Sequence, residues 1–247
     1  MRLFPLPELV MFPHAMQPLH LFEPRYCELL RESLASDRLI AMATLTGGIS
    51  TLADGAPPIA TTVCIGRIVS HAELENDRHN ILLVGVKRAT ITREIDAGRS
   101  FRIAEVEVHS DLYPPIGAES RRQLKQELLE AFATVIPSSK QASQSLHELM
   151  AGQMGLGPIT DIIAYTLPFE IESKLRLLAI ADVDDRAAEL VRLLRSGKIN
   201  LHSVSAEEQN GDPAAGGDSR FPPPFSANCT PPSPRLEPSV PSCRAAP

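Results

Sequence analysis

Few residues in this chain are spaced for chemistry, and none completes a reactive pattern. His147-Glu148 opens the H-E-x-x-H arrangement that sets two imidazoles on one helical face for zinc, but position 151 is Ala and the second ligand is missing. His147 therefore reads as a solvated helix residue. The seven histidines (14, 20, 71, 79, 109, 147, 202) show no i, i+2 or i, i+4 pairing. A metal site would have to be assembled from distant residues, and none is expected. Asp182, Asp184 and Asp185 resemble a cation cluster, yet no glycine and glutamate follow at calcium-loop spacing, so they read as a helix cap and first turn. Cys64 lies in an apolar strand-like run and reads as a small core residue rather than a nucleophile. Cys27, Cys64, Cys229 and Cys243 are far apart with no C-x-x-C, which supports neither a disulfide framework nor a zinc knuckle. G-x-x-x-x-G-K-[ST], G-x-G-x-x-G and G-x-S-x-G are all absent. No catalytic residue and no cofactor are expected.

Charge narrows the partners. Arg67, Lys87, Arg88 and Arg93 make the central β region basic, but aromatics for base stacking are not interleaved with them and the net charge is −6. Nucleic acid is not the expected partner. No run approaches 18 apolar residues, and the prolines and Glu8 at the N-terminus interrupt any signal-peptide core, so membrane insertion is not expected and the chain reads as cytoplasmic.

The elements that position these residues fall into two kinds. Residues 38–45, 61–69, 81–86, 89–95 and 101–109 are rich in β-branched residues or alternate in polarity, and predict short strands. The polar run 75–80 predicts a hairpin turn, and Gly85 a bulge or a close backbone approach. One helix interrupts them: Pro24 suits a first helical position, and Tyr26, Leu29, Leu30 and Leu34 form one stripe. After the stiff segment 113–117 the period becomes helical. Stripes run through Leu124–Val135, Leu146–Met150, Ile159–Ile163 with Pro158 at the first position, Ile171–Leu178, and Val183–Leu194 with Gly197 closing the last. The fold class is α+β: a small, partly open β-barrel with one inserted helix (1–112), a helical bundle (113–200), and a tail (201–247). Ten of the 22 prolines lie in that tail, and it reads as disordered.

What remains is the segment from Phe4 to Tyr26, where five prolines hold the chain extended between apolar residues. Phe4-Pro5-Leu6, Phe12-Pro13 and the block Pro18-Leu19-His20-Leu21-Phe22-Glu23-Pro24-Arg25-Tyr26 resemble the signature of the Lon N-terminal domain, also called the Lon substrate-binding domain. Cys64-Ile65-Gly66-Arg67-Ile68, then Leu83, Gly85-Val86, Arg88 and Ile91, and Leu167-Pro168 ahead of Lys174 and Leu175–Leu178 match as well. The resemblance covers roughly residues 1–196. Two positions depart from it: His14 and Val63 stand where the family usually has glycine.

The resemblance implies a PUA-like pseudo-barrel followed by a helical bundle, and a non-catalytic module that recognises unfolded or client proteins. In full-length Lon this domain precedes an ATPase and a Ser-Lys peptidase; neither a P-loop nor the peptidase serine motif occurs in these 247 residues. A stand-alone protein is expected, acting as an adaptor in protein quality control beside a Lon-type protease. Phe12, Pro13, Leu19, Phe22, Arg25 and Tyr26 are the expected partner contacts, against a reading of each as core, with Leu19 and Phe22 buried and Arg25 paired to Glu28. Two other readings stay open: a PUA-like nucleic-acid-binding protein, and an enzyme built on Glu23, Arg25 and a histidine meeting in a pocket.

Overall fold

A computed structural model describes residues 1–46, 57–115, 118–135 and 154–197, all within one compact unit spanning 1–207. The stripe 146–150, His147, most of the 46–59 loop and the tail 201–247 lie outside the described residues.

Among the described residues, six strands and five helices follow in the order β1 (Leu3–Leu6), β2 (Met16–Leu21), α1 (Pro24–Leu34), β3 (Leu39–Thr44), β4 (Thr62–Leu74), β5 (Arg78–Ile95), β6 (Ile103–His109), α2 (Ala118–Ala133), α3 (Leu156–Thr166), α4 (Ile171–Ala179) and α5 (Val183–Arg195). The α+β class holds. β5 is one strand of 18 residues rather than the two expected at 81–86 and 89–95. It stays continuous because its two edges are both used along its length. β4 pairs with residues 78–90 on one edge, while β2 pairs with 79–84 and β6 with 88–95 on the other. The hairpin turn is correspondingly shorter than expected, with Asn76 and Asp77 both at positive φ as the tight connection requires.

Gly85 marks the junction between the two partners of β5. A Cβ there would stand 2.0 Å from the Phe12 carbonyl oxygen, so only glycine lets the Phe12–Ala15 loop reach the strand. The loop is held by bonds from the His14 N–H to the Gly85 carbonyl and from the Gly85 N–H to the Ala15 carbonyl, both 2.9 Å. His14 sits at φ 65° in that loop, the left-handed conformation that glycine adopts without strain.

The sheet runs β1-β3-β4-β5-β2, with β6 beside the far half of β5. β1 and β6 meet only at the Arg2–Ile103 bridge, so the sheet is not a fully paired barrel. One face curls over Leu3, Ala41, Ala43, Val63, Ile65, Ala89 and Ala104, and the alanines permit the tight curvature. The other face, α1 and the four later helices share one larger apolar cluster, from Phe4 and Phe12 through Leu83 to Leu190 and Leu194.

Helix ends follow the residue chemistry closely. Pro24 opens α1. The Asp182 carboxylate accepts from the N–H groups of Asp184 and Asp185, and Gly197 follows α5 at φ 67°. Pro158 is not the first residue of α3: the helix begins at Leu156 after Gly155. Pro168 stops it by forcing Leu167 into an extended conformation.

Candidate functional site

β2 is antiparallel to β5, pairing Met16 with Val84, Pro18 with Leu82 and His20 with Asn80. Side chains alternate across a strand, so residues 16, 18, 20 and 22 share the outer face, while Leu19 and Leu21 turn toward the core. Leu21 is buried and Leu19 half-buried against the main apolar cluster. The outer face carries large apolar groups in water: Met16 is 52% and Phe22 64% exposed. Phe22 lies 6.1 Å from the His20 ring, and His20 Nδ1 meets Asn80 Oδ1 at 2.7 Å. Leu82 and Val84 continue the face onto β5, and on β4 the register shift between Ile68 and Ser70 leaves Val69 49% exposed. Single exposed apolar residues are ordinary; several in one strand register form a surface that gains free energy by meeting another apolar surface.

The outer edge of β2 is blunted against strand addition. The Tyr165 hydroxyl donates to the Met16 carbonyl at 3.3 Å, the Gln17 side chain donates to the Pro18 carbonyl at 2.9 Å, and Pro18 has no N–H. The face therefore offers apolar contact rather than a row of free ladder groups.

The six expected contact residues separate. Phe12, Pro13 and Tyr26 are buried, which corrects their assignment as partner contacts. Tyr26 packs on Phe4 at 4.3 Å and its hydroxyl donates to the Pro5 carbonyl. Leu19 is half-buried. Phe22 and Arg25 are exposed; Phe22 is thus not in the core, because it follows the last paired residue of β2 and points away from it. Arg25 does not pair with Glu28 as expected. It binds Glu23 at 2.7 Å across the helix start, while Glu28 accepts from Ser100. The Glu23–Arg25 pair lies on the surface.

A second group was missed by sequence reasoning. Arg88 of β5, Asp111 after β6, Asp161 of α3 and Arg186 of α5 meet behind the sheet. Arg88 contacts both carboxylates, reaching Asp161 at 2.6 Å, and donates to the Leu178 carbonyl. Arg186 reaches Asp111 at 2.9 Å, Thr160 at 3.0 Å and the Ile180 carbonyl at 2.7 Å. Asp161 and Arg186 are fully buried. Burial pushes the Asp161 carboxyl up to about 6 against the pull of the two guanidinium groups, and its Oδ2 has no hydrogen-bond partner among the described residues. The signal in the sequence was Asp161 between Ile159 and Ile163, and Arg186 three residues after Val183, at helical spacing for the apolar stripe of the last helix. The cluster ties the helices to the sheet. Cys64, also buried, has its thiol pushed far up by desolvation, which suits packing and not nucleophilic attack.

The comparisons agree on one family. The family model described as ATP-dependent protease La (LON) substrate-binding domain matches residues 1–196. The chain is 26% identical over 192 residues to a Lon protease of Heliobacterium modesticaldum, aligning 78% of this chain with 23% of that protein. Against Lon protease 1 of Bacillus subtilis the identity is 25% over 197 residues, 79% of this chain and 25% of that one. The chain thus spans about a quarter of the length of these relatives. Two solved structures share the fold: a Lon N-terminal domain protein from Xanthomonas campestris (TM-score 0.55, 20% identity, 78% of this chain and 96% of that one) and the N-terminal domain of a Mycobacterium avium complex Lon protease (TM-score 0.61, 14% identity, 79% and 98%). The match is to the substrate-binding domain, and no helix among the described residues is long and apolar enough to cross a membrane.

Proposed function

Since the chain belongs to the Lon substrate-binding domain family, we propose that it binds exposed apolar segments of unfolded or client proteins on the outer face of β2. The observation that carries this reading is the apolar face itself: Met16 and Phe22 stand in water within the N-terminal segment that bears the family signature. Arg25, on the same surface, adds a charged rim that orients a client without burying an ion pair. Phe12, Pro13 and Tyr26 act beneath it by fixing the backbone. The module works without chemistry of its own and serves as an adaptor that presents clients to a Lon-type protease in the cytoplasm. The pairing of the curled sheet with a helical bundle supports a PUA-like pseudo-barrel as its scaffold.

Calorimetric titration with a reduced, alkylated and hence permanently unfolded protein tests this. We expect saturable binding with Kd between ~1 μM and ~100 μM, the range of weak recognition contacts. Binding should gain strength with apolar content and depend weakly on salt. Absence of heat up to ~1 mM client overturns the reading, and steeply salt-dependent binding to RNA would replace it with the nucleic-acid alternative.

A further inference from the structure

We propose that His71 and His79 form a binding site for a divalent transition metal of the imidazole-preferring kind, zinc first among them. The sequence leads one to expect no metal site, because the two histidines lack i, i+2 or i, i+4 spacing and the polar run 75–80 separates the strands around them. The hairpin brings them together. In the β4–β5 register Glu73 pairs with His79 and His71 with Ile81, which puts 71, 73 and 79 on one face. His71 Nε2 stands 3.1 Å from His79 Nδ1. Two imidazole nitrogens bound at about 2.0–2.1 Å to one tetrahedral ion lie ~3.3 Å apart, and ~2.9 Å apart at a right angle. The observed separation falls between those values, so an ion enters with little rearrangement of the rings.

The surroundings prepare this pair for a metal. His79 is buried, and its other nitrogen, Nε2, faces Asp77 Oδ1 at 3.3 Å. A carboxylate on the far nitrogen fixes the tautomer with the proton on Nε2 and leaves the Nδ1 lone pair directed at His71. Asp77 is itself anchored: its other oxygen accepts from Arg31 of α1 at 2.6 Å, and its backbone carbonyl accepts from the Cys27 thiol at 3.2 Å. His71 is exposed, so the open side of the pair is accessible to an incoming ion. On binding, the His71 proton is carried on Nδ1 instead of Nε2, and no oxidant or reductant takes part. Among the described residues no three His, Cys, Asp or Glu side chains already converge for a metal. The protein therefore contributes two nitrogens, with Glu73 placed across from His79 to turn in as a third donor and water filling the rest.

The experiment is titration of the full chain with zinc chloride, read by calorimetry and by the ring ¹⁵N resonances of the histidines. We expect one ion per chain with Kd of ~1–100 μM, and ring ¹⁵N shifts confined to His71 and His79. His71 is exposed, so His71→Ala should keep the fold by circular dichroism and abolish binding. Asp77→Asn should weaken it about ten- to a hundred-fold. No saturable binding up to ~1 mM zinc, unchanged affinity in His71→Ala, or shifts centred on other histidines would overturn the site. Unchanged affinity in Asp77→Asn would overturn the role given to that carboxylate.

Discussion

The outer face of β2 and the Arg88–Asp111–Asp161–Arg186 cluster invert the usual distribution of residues in opposite ways. One leaves Met16 and Phe22 in water, and the other takes Arg88, Asp161 and Arg186 out of it, with Asp111 at its edge. Each arrangement costs free energy in the isolated module, and each departs from the rule that apolar groups go inside and charges outside. The cluster offsets part of its cost within the chain, through paired charges that fix how the helices meet the sheet. The face has no such compensation among the described residues, and recovers its cost only when an apolar partner covers it. The contrast separates a structural device from a functional one without reference to motif.

Substitutions should affect the two regions differently, beginning where the effect is largest. Arg186→Ala leaves Asp161 and Asp111 short of a partner inside the protein, and should cost about 3–5 kcal/mol of stability, measured by urea denaturation. A cost under ~1 kcal/mol, in the range of surface ion pairs, would show that water reaches the cluster.

The same cluster makes a pH prediction whose sign is fixed by Asp161. Its carboxyl is raised in the folded state from 3.8 to about 6, so its contribution to stability is full below pH 4 and is lost as pH rises through about 6. Asp161→Asn removes that dependence. The variant should therefore be penalised more at pH 4 than at pH 7, by up to about 3 kcal/mol for a shift of this size. An equal penalty at both values would mean that the two arginines hold Asp161 ionised throughout. Exposed carboxylates such as Asp77 and Glu105, held low by Arg31 and Arg93, act in the opposite direction and stabilise the protein above their unfolded values.

A smaller gain is expected beneath the face. His14 at φ 65° should be replaced by glycine with a stabilisation of about 0.5–1 kcal/mol, the left-handed strain relieved less the added entropy of glycine in the unfolded chain. Thermal denaturation checks it, and a destabilised His14→Gly variant would show that the imidazole contributes packing that outweighs the strain.

These regions also differ in how legible they were. The local features were plain in the sequence. Asp182 and Gly197 bound the last helix as capping chemistry dictates, and Gly85 marks a close approach because no other residue fits. The continuity of β5 was hidden by Lys87-Arg88, a charged pair that reads as a break between strands until Arg88 is seen to be satisfied by two aspartates from other elements. The burial of Phe12 and the exposure of Phe22 depend on which face of an extended, proline-rich segment meets the core, and alternation alone does not set that phase, whereas the burial of Tyr26 follows the apolar stripe of α1. The His71–His79 pair depends on cross-strand register, including the shift at Val69, and no spacing within one element reveals it.

The central claim is that the apolar face of β2 receives the client and contributes little to the fold. A double substitution, Met16→Ser with Phe22→Ser, tests it most directly when unfolded-client affinity and stability are measured on the same protein. The account predicts at least a tenfold loss of affinity, equivalent to about 1.4 kcal/mol, with stability changed by less than ~0.5 kcal/mol as at other surface positions. Undiminished client affinity in a variant of unchanged stability would contradict it.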